Sequence, residues 1–407
     1  YGCIPDGRTA LFYAIIRLGT SKGEQLGCVM QRVGWWLVLG IVGFGVFWVL
    51  YRHTFAEASI EMRITPREAL QRGAAALRAL DPSIDLTGWR EAVEFDWDNG
   101  AKRYLEKTLG LARADRVMRE EVAVWYFRCR WVREGERTEY SARVAPTGKI
   151  YAAYIQLPEE ARGARLSRAQ AQPIAEQFVS RTLGIPLKEW QLVHHYEHER
   201  PNRRDHTFIW QHRTRKYPAD NPTAATVRLL VTVKGDRVGG YSRDYLHTPE
   251  RWAFEQARKQ TQRETLNTIV GVIDLLFHGV AIAVLIMLVV RRQPLAWRFA
   301  LRVAMVLAGV YLITQLNFIP LWWMQYNSSL HEPIFLLGRL LLVVLTALFS
   351  VGLVWFLFLL VADWLSQAQP LGGVRFAYLS SPRFWLTGSA VRAILVGIGV
   401  AGLHLAY

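Results

Sequence analysis

The chain has 407 residues, of which 51% are hydrophobic and 20% are charged, and its formal net charge is +15. Its three cysteines are too few for a disulfide framework. The positive charge forms no basic stripe interleaved with aromatic residues, which excludes nucleic acid as the expected partner and favours anionic lipid headgroups.

Residues 1–34 form a basic segment that precedes the first apolar stretch, residues 35–51. The basic residues of the segment are Arg8, Arg17, Lys22 and Arg32. Short cytoplasmic segments carry an excess of Lys and Arg, so this one is predicted to lie inside the cell. At about 1.5 Å of rise per residue, the stretch that follows barely crosses a hydrocarbon core of roughly 30 Å.

Residues 52–266 form a polar block in which one pattern occurs twice, in residues 62–157 and 164–248. The first repeat opens with Thr65 as a helix N-cap, followed by Pro66 and by Glu68 at the position that completes a capping box. The second repeat opens with Ser167 and Gln170 at the same spacing. Each opening predicts an amphipathic helix.

Four alternating segments follow each predicted helix and indicate strands. They are residues 91–98, 122–132, 140–144 and 150–156, then 191–198, 207–212, 227–233 and 238–245. Gly148 and Gly235 lie at matching hairpin turns. A helix on an antiparallel sheet, twice, is an α+β arrangement. It resembles the PepSY-like fold, an inhibitor or sensor module of secreted and membrane proteins.

Two features of this block are candidate functional sites, a group of histidines and a pair of glutamates. His194 and His198 would share one face of a strand about 13 Å apart, too far for one ion without help from another strand, and His195 points the other way. No metal is therefore predicted, with His194 and His198 as the candidate ligands if such help exists. The pair Glu159-Glu160, followed by Arg162, lies in the linker between the repeats and is interpreted as solvated charge.

Four further apolar stretches follow, residues 267–290, 299–322, 335–365 and 390–406. The basic loop from Arg291 to Arg298 is predicted to stay inside, which puts the block of residues 52–266 outside. The sequence thus predicts a multi-pass α-helical membrane protein with about five transmembrane helices and an inserted extracytoplasmic α+β domain of two PepSY-like repeats. It would lie in the bacterial inner membrane with its N-terminus inside.

Asp274 and His278 are four residues apart on the second stretch, which puts both on one helical face within the membrane. They could form a proton relay, a haem or metal ligand set, or an interhelical hydrogen bond. No cofactor is predicted, and haem or a metal would require a further ligand for His278.

Several short motifs carry a second resemblance. They are Thr248-Pro-Glu-Arg-Trp252, Asn267-Thr-Ile-Val-Gly271, Leu316-Asn-Phe-Ile-Pro-Leu-Trp-Trp323, Ala362-Asp-Trp-Leu-Ser366 and Pro382-Arg-Phe-Trp385. In this order they resemble the N-terminal part of some bacterial CPBP-type intramembrane proteases, the CAAX-protease and bacteriocin-processing family. That family places its catalytic Glu-Glu-x-x-x-Arg motif on a membrane helix, and this sequence has no such helix. Asp274 and His278 do not match the motif.

Three functions stay open on this basis. The resemblance implies a membrane-anchored sensor or regulatory part of an intramembrane protease-like protein, inactive alone, from a chain that stops before the catalytic domain or has lost it. The alternative is a structural accessory subunit that packs on other membrane subunits. The third is a haem- or ion-handling membrane protein.

Overall fold

A computed structural model of the chain describes residues 38, 41–49, 60–219, 221, 223–291 and 297–368. The chain divides into two compact units. The sheet unit comprises His53–Thr265 and Leu316–Leu340, and the apolar unit comprises Tyr1–Arg52, Leu266–Gln315 and Leu341–Tyr407. The predictions for residues 1–34, for most of 35–51 and for 390–406 lie outside the described residues.

The sheet unit contains one antiparallel sheet of eight strands in the order β1-β2-β3-β4-β8-β7-β6-β5. The strands are β1 Arg90–Trp97, β2 Trp125–Val132, β3 Glu139–Val144, β4 Ile150–Gln156, β5 Trp190–Arg200, β6 Arg203–Tyr217, β7 Ala225–Lys234 and β8 Arg237–His247. All eight predicted strands are therefore present. The two halves join where β4 pairs with β8, at Ala152↔Ser242, Ala153↔Tyr241 and Tyr154↔Gly240. The two repeats thus form one continuous sheet.

Both predicted capping boxes are confirmed. Helix α1, Pro66–Leu80, begins where the Thr65 backbone N–H donates to Glu68 at 2.7 Å and the Glu68 N–H donates back to Thr65 Oγ1 at 3.2 Å. Ser167 and Gln170 form the same box. Helices α2, Asn99–Leu109, and α3, Leu111–Glu120, were not predicted and lie between β1 and β2; helix α4, Arg168–Gln177, continues in a π-helical turn, Phe178–Thr182.

One hydrophobic core serves both repeats, because α1 and α4 pack on the same sheet face. Leu77 of α1 and Val179, next to α4, lie in the same buried cluster as Phe127 of β2 and Leu229 of β7. Alternation along each strand directs the remaining side chains to the opposite face. That second face is where the polar residues collect.

Helix α1 lies close to the sheet at Gly73. A Cβ atom there would lie 2.8 Å from Trp131 Cη2 and 3.0 Å from Ala142 Cβ. We therefore expect Gly73→Ala to lower the free energy of unfolding by about 1–3 kcal/mol through overpacking, although alanine is the better helix former. Urea unfolding followed by tryptophan fluorescence measures this. Gln71→Ala, on the exposed side of the same helix, is the control and should stay within about 0.5 kcal/mol; equal effects would contradict the close packing.

The segment after residue 317 packs along β1 and belongs to the sheet unit. Arg90 forms a bidentate ion pair with Glu332, with Nη2 2.7 Å from Oε2, and its guanidinium lies 5.1 Å from the Trp323 ring centroid. Arg130 Nη1 donates to the Met324 carbonyl at 2.8 Å. The β1 edge is therefore covered by the chain itself.

The prediction of a multi-pass helical protein with about five transmembrane helices is wrong. Its count came from apolar run lengths alone, whereas the dominant architecture is the eight-stranded antiparallel sheet with its helices. Within the described ranges, three helices are long and apolar enough to cross a membrane, and they are Glu250–Val290, Trp297–Asn317 and Glu332–Val361.

The first of these three helices, α5, begins at Glu250 and so carries a polar stretch ahead of the apolar run predicted from residue 267. The second is α6; the third begins as α7, Glu332–Leu345, and continues through a π-helical turn.

Candidate functional site

A groove of about 760 Å³ lies on the polar face of the sheet. Its charged lining consists of Arg128, Arg130, Arg200, Arg203, Lys234, Glu139, Glu159 and Asp205. These residues come from both repeats, so the groove exists only because β4 and β8 join the two halves. Its volume lies within the range of about 300–1,000 Å³ that is typical of ligand-binding sites.

Two glycines of β8 leave room for side chains that line the groove. A Cβ atom at Gly240 would lie 2.5 Å from Cδ1 of Tyr154, and one at Gly239 would lie 2.5 Å from Cδ of Lys234. Because β8 has no side chain at these positions, the Tyr154 ring and the Lys234 stem can lie across it. The Gly239-Gly240 pair thereby leaves room for an aromatic ring and for the side chain of a lysine, both of which line the groove.

Most charges in the groove are already paired. Arg130 contacts Glu139 at 2.9 Å, Arg203 contacts Asp205 at 2.9 Å, and Arg200 Nη1 contacts Glu159 at 2.6 Å. Of these three pairs, Arg203–Asp205 is buried on both sides, and a buried ion pair fixes side-chain positions when its remaining hydrogen-bonding groups are satisfied. Arg203 meets that condition, since its Nη1 donates to the carbonyls of Pro158 at 2.7 Å and Ala161 at 2.9 Å.

The linker with Glu159 and Glu160 is held by backbone contacts and by exposed ion pairs. The side chains of Glu159 and Glu160 are 68% and 58% exposed, and they pair with Arg200 at 2.6 Å and with Arg137 at 2.9 Å. Arg203, on β6, binds the linker carbonyls, so it clamps the connection between the repeats to the sheet. Both side chains are thus largely exposed, as the interpretation of solvated charge expects, but each is also paired with an arginine.

Lys234 differs from the other cations of the groove. Its Nζ donates to the Ile155 carbonyl at 2.7 Å, and no carboxylate of the described residues lies within ion-pair distance of it. Burial lowers the pKa of Lys234; Asp205 opposes this effect, while Arg203 and Arg200 add to it. In addition, Nε of Arg200 is buried without a hydrogen-bond partner among the described residues, although it lies 3.6 Å from Asp205 Oδ2. The groove therefore offers Lys234 and the hydrogen-bonding capacity of this Nε to a ligand.

Helix α5 brings the predicted intramembrane pair together. His278 Nδ1 lies 2.7 Å from the backbone carbonyl of Asp274 and 3.4 Å from its Oδ2. The pair lies on one helical face, as its spacing predicts. This contact is local to one helix turn, and the role of Asp274 and His278 stays a prediction.

The structure does not bring His194 and His198 together. His194 stacks on Tyr196 with ring centroids 6.0 Å apart, whereas His198 lines the groove. A different group converges instead: His195, Glu197 and His206 have ligand atoms within 4.8 Å of one another. This group was not predicted from the sequence, because it depends on the register between β5 and β6.

Cys129 is fully buried in the core cluster, and burial raises the pKa of its thiol to about 12. A thiolate is the reactive form of cysteine, so Cys129 is chemically quiet at neutral pH. Cys129 lies among hydrophobic side chains, and a free cysteine packs there as a small apolar residue.

Comparison of the chain with protein-family models, with curated proteins and with solved structures found no match. The resemblance to PepSY-like modules, based on the repeated helix and strand pattern, and the resemblance to CPBP-type proteases, based on short motifs, therefore stay predictions. Function has to be inferred from the groove and from the helices.

Proposed function

We propose that this chain is a membrane-anchored sensor or regulatory module that binds a carboxylate-bearing peptide in the groove of its sheet. The observation that carries the proposal is Lys234, a half-buried ammonium group without a carboxylate partner among the described residues. Removing a charge from water is costly unless an opposite charge meets it. A ligand carboxylate at Lys234 would supply that charge.

The neighbouring groups favour the same ligand. Nε of Arg200 lies 3.6 Å from Asp205 Oδ2 and makes no hydrogen bond within the described residues, so it offers a second donor, and hydrogen bonds between ionised groups are roughly twice as strong as neutral ones. Tyr154 lines the same groove and adds an aromatic surface. The resemblance to PepSY-like modules, inhibitor or sensor modules of secreted and membrane proteins, favours a peptide over a small acid.

Anchoring in a membrane is supported by the three apolar helices. Only 6%, 17% and 17% of their most apolar windows are buried within the protein. Among their exposed side chains are Leu275, Ile313 and Leu337. Exposure of an apolar surface of this extent to water is unfavourable, whereas its burial in the hydrocarbon core of a membrane is favourable. Other membrane subunits could cover the same surface, which keeps the accessory-subunit function as the second candidate.

The proposal predicts that fluorescein-labelled tetraglutamate binds saturably to the purified full chain, whereas tetraglutamine does not. Lys234→Gln should weaken tetraglutamate binding by about tenfold or more, because a hydrogen bond between charged groups contributes about 1.5–3 kcal/mol. Fluorescence anisotropy at low and at high salt measures both. Lys188→Gln, at an exposed lysine outside the groove, is the matched control and should bind like the wild type.

Equal affinity for the two peptides, or a Lys234→Gln variant that binds as tightly as the wild type, would contradict the proposal. The melting temperature of each variant shows that it is folded.

A further inference from the structure

We propose that the sheet unit binds a zinc ion through His195, Glu197 and His206. These residues lie on the helix-covered face of the sheet, near the start of α4, and the groove is on the other face. The site is therefore separate from the proposed peptide site. It also differs from the His194 and His198 pair that the sequence analysis considered.

The hairpin of β5 and β6 positions the three ligands. His195 and Glu197 are two residues apart on β5 and so share a face. Glu197 pairs directly with His206 across the ladder, and His195 pairs with Phe208, which places His206 diagonally from His195. Strand β6 thus supplies the help from another strand that one strand alone could not give.

The distances approach those of a tetrahedral zinc site. Nε2 of His195 lies 3.0 Å from Nδ1 of His206, and Oε2 of Glu197 lies 4.0 Å from the same Nδ1. Two nitrogen ligands at about 2.0–2.1 Å from a tetrahedral ion are separated by roughly 3.3 Å. The distance between the two histidine nitrogens therefore has to increase slightly, and the distance from Glu197 Oε2 to His206 Nδ1 has to decrease by less than about 1 Å.

His206 has a defined tautomer that suits a metal ligand. It is fully buried, and its Nε2 lies 2.9 Å from the Leu166 carbonyl. A carbonyl only accepts, so Nε2 carries the proton and the lone pair of Nδ1 points at His195 and Glu197. In zinc sites, the ring N–H of a ligand histidine that does not face the metal usually donates a hydrogen bond to a backbone carbonyl, a carboxylate or water.

Glu197 is available to the ion. Its side chain is 43% exposed and lies 3.2 Å from Arg204, but Arg204 has a second carboxylate partner, Glu199, at 2.6 Å. Arg168 also places positive charge near His195, so the negative charge of Glu197 is needed to balance the site. Two imidazoles with one carboxylate favour zinc over calcium or magnesium, which prefer oxygen ligands. Three protein ligands leave a fourth position for water.

The test is a titration of the metal-stripped full chain in detergent with zinc chloride, in competition with a chromogenic chelator. We expect one zinc ion per chain for this site. Loss of even an outer-shell partner of a zinc site weakens binding by about 10–100-fold, so Glu197→Gln and His195→Ala should each weaken it at least tenfold. His194→Ala and His198→Ala, on the same strand, are the matched controls and should leave the affinity within about twofold.

Cobalt chloride gives an independent readout, because tetrahedral Co²⁺ absorbs visible light strongly. We expect this absorption with the wild type and its loss in His195→Ala. Glu197 is exposed, so Glu197→Gln tests the site without disturbing the core. Failure of zinc to bind, or binding that is unchanged in both Glu197→Gln and His195→Ala, would overturn the proposal. Tetraglutamate binding serves to distinguish this failure from a failure of the groove.

Discussion

Asp244→Ala is expected to lower the free energy of unfolding by about 3–5 kcal/mol, the cost typical of breaking a buried ion-pair network. Asp244 is only 3% exposed, and its carboxylate lies 2.7 Å from Lys149 Nζ and 2.9 Å from Arg215 Nη1. Lys149 belongs to the first repeat and Arg215 to the second. The carboxylate therefore connects the two halves of the sheet.

The backbone of Asp244 adds to this role. Its φ of 57° lies in the left-handed region, which aspartate and asparagine tolerate better than alanine, and its carbonyl accepts a hydrogen bond from Ala123 at 2.8 Å. Asp244→Asn keeps this tolerance and removes only the charge. We expect Asp244→Asn to be nearly as destabilising as Asp244→Ala, since Lys149 and Arg215 lose their counter-charge in both. Asp236→Ala, at an exposed turn, should change stability by no more than about 0.5 kcal/mol.

The same network gives a pH dependence with a defined sign. Burial alone would raise the pKa of Asp244, but Lys149, Arg243 and Arg215 outweigh it and hold the pKa below its usual value. A carboxylate with a depressed pKa stabilises the fold above the pKa of the unfolded chain, about 3.9, and loses that contribution as the pH falls through the folded pKa. The stability difference between wild type and Asp244→Asn should therefore be full at pH 7 and shrink below about pH 4. Urea unfolding at several pH values measures it, and a difference that did not depend on pH would contradict the assignment.

Arg203→Met is expected to be the second severe change, with a loss of about 3–5 kcal/mol in unfolding free energy. Arg203 is 2% exposed, and its removal would leave Asp205 as a buried carboxylate beside the more distant Arg200. It would also release the Pro158 and Ala161 carbonyls. Arg204→Met is the matched control, because Arg204 forms exposed ion pairs that contribute at most about 1 kcal/mol.

Release of the linker can be observed separately from global stability. Trypsin should cleave after Arg162 faster in Arg203→Met than in Arg204→Met, under conditions where both variants are folded. Identical cleavage rates would show that Arg203 does not hold the linker.

Local features of the sequence predicted local structure well. The capping boxes at Thr65 and Ser167 depend on residues three positions apart, and strand alternation depends on neighbours two positions apart. Pairing of β4 with β8 depends instead on the room that Gly240 leaves for Tyr154, residues far apart in the chain. No local pattern contains that contact, so the single sheet and its groove could not be predicted.

The zinc ligands were within reach of sequence reasoning. Pro201-Asn202 form a two-residue turn, so residues equally distant from it face each other, as Arg200 and Arg203 do. Applying that rule pairs Glu197 with His206 and places His195 nearby. The number of membrane helices was wrong for a different reason, because apolar length identifies candidate helices and does not establish the architecture of the whole chain.

Carbodiimide coupling tests most directly whether the groove over the β4–β8 junction holds a ligand carboxylate at Lys234. This reagent activates a carboxylate so that a contacting lysine amine forms an amide with it and water is lost to the reagent. We expect bound tetraglutamate to couple mainly to Lys234, as located by peptide mass spectrometry, and excess unlabelled tetraglutamate to prevent the coupling. Coupling spread equally over exposed lysines such as Lys188 and Lys259, with none at Lys234, would contradict the account.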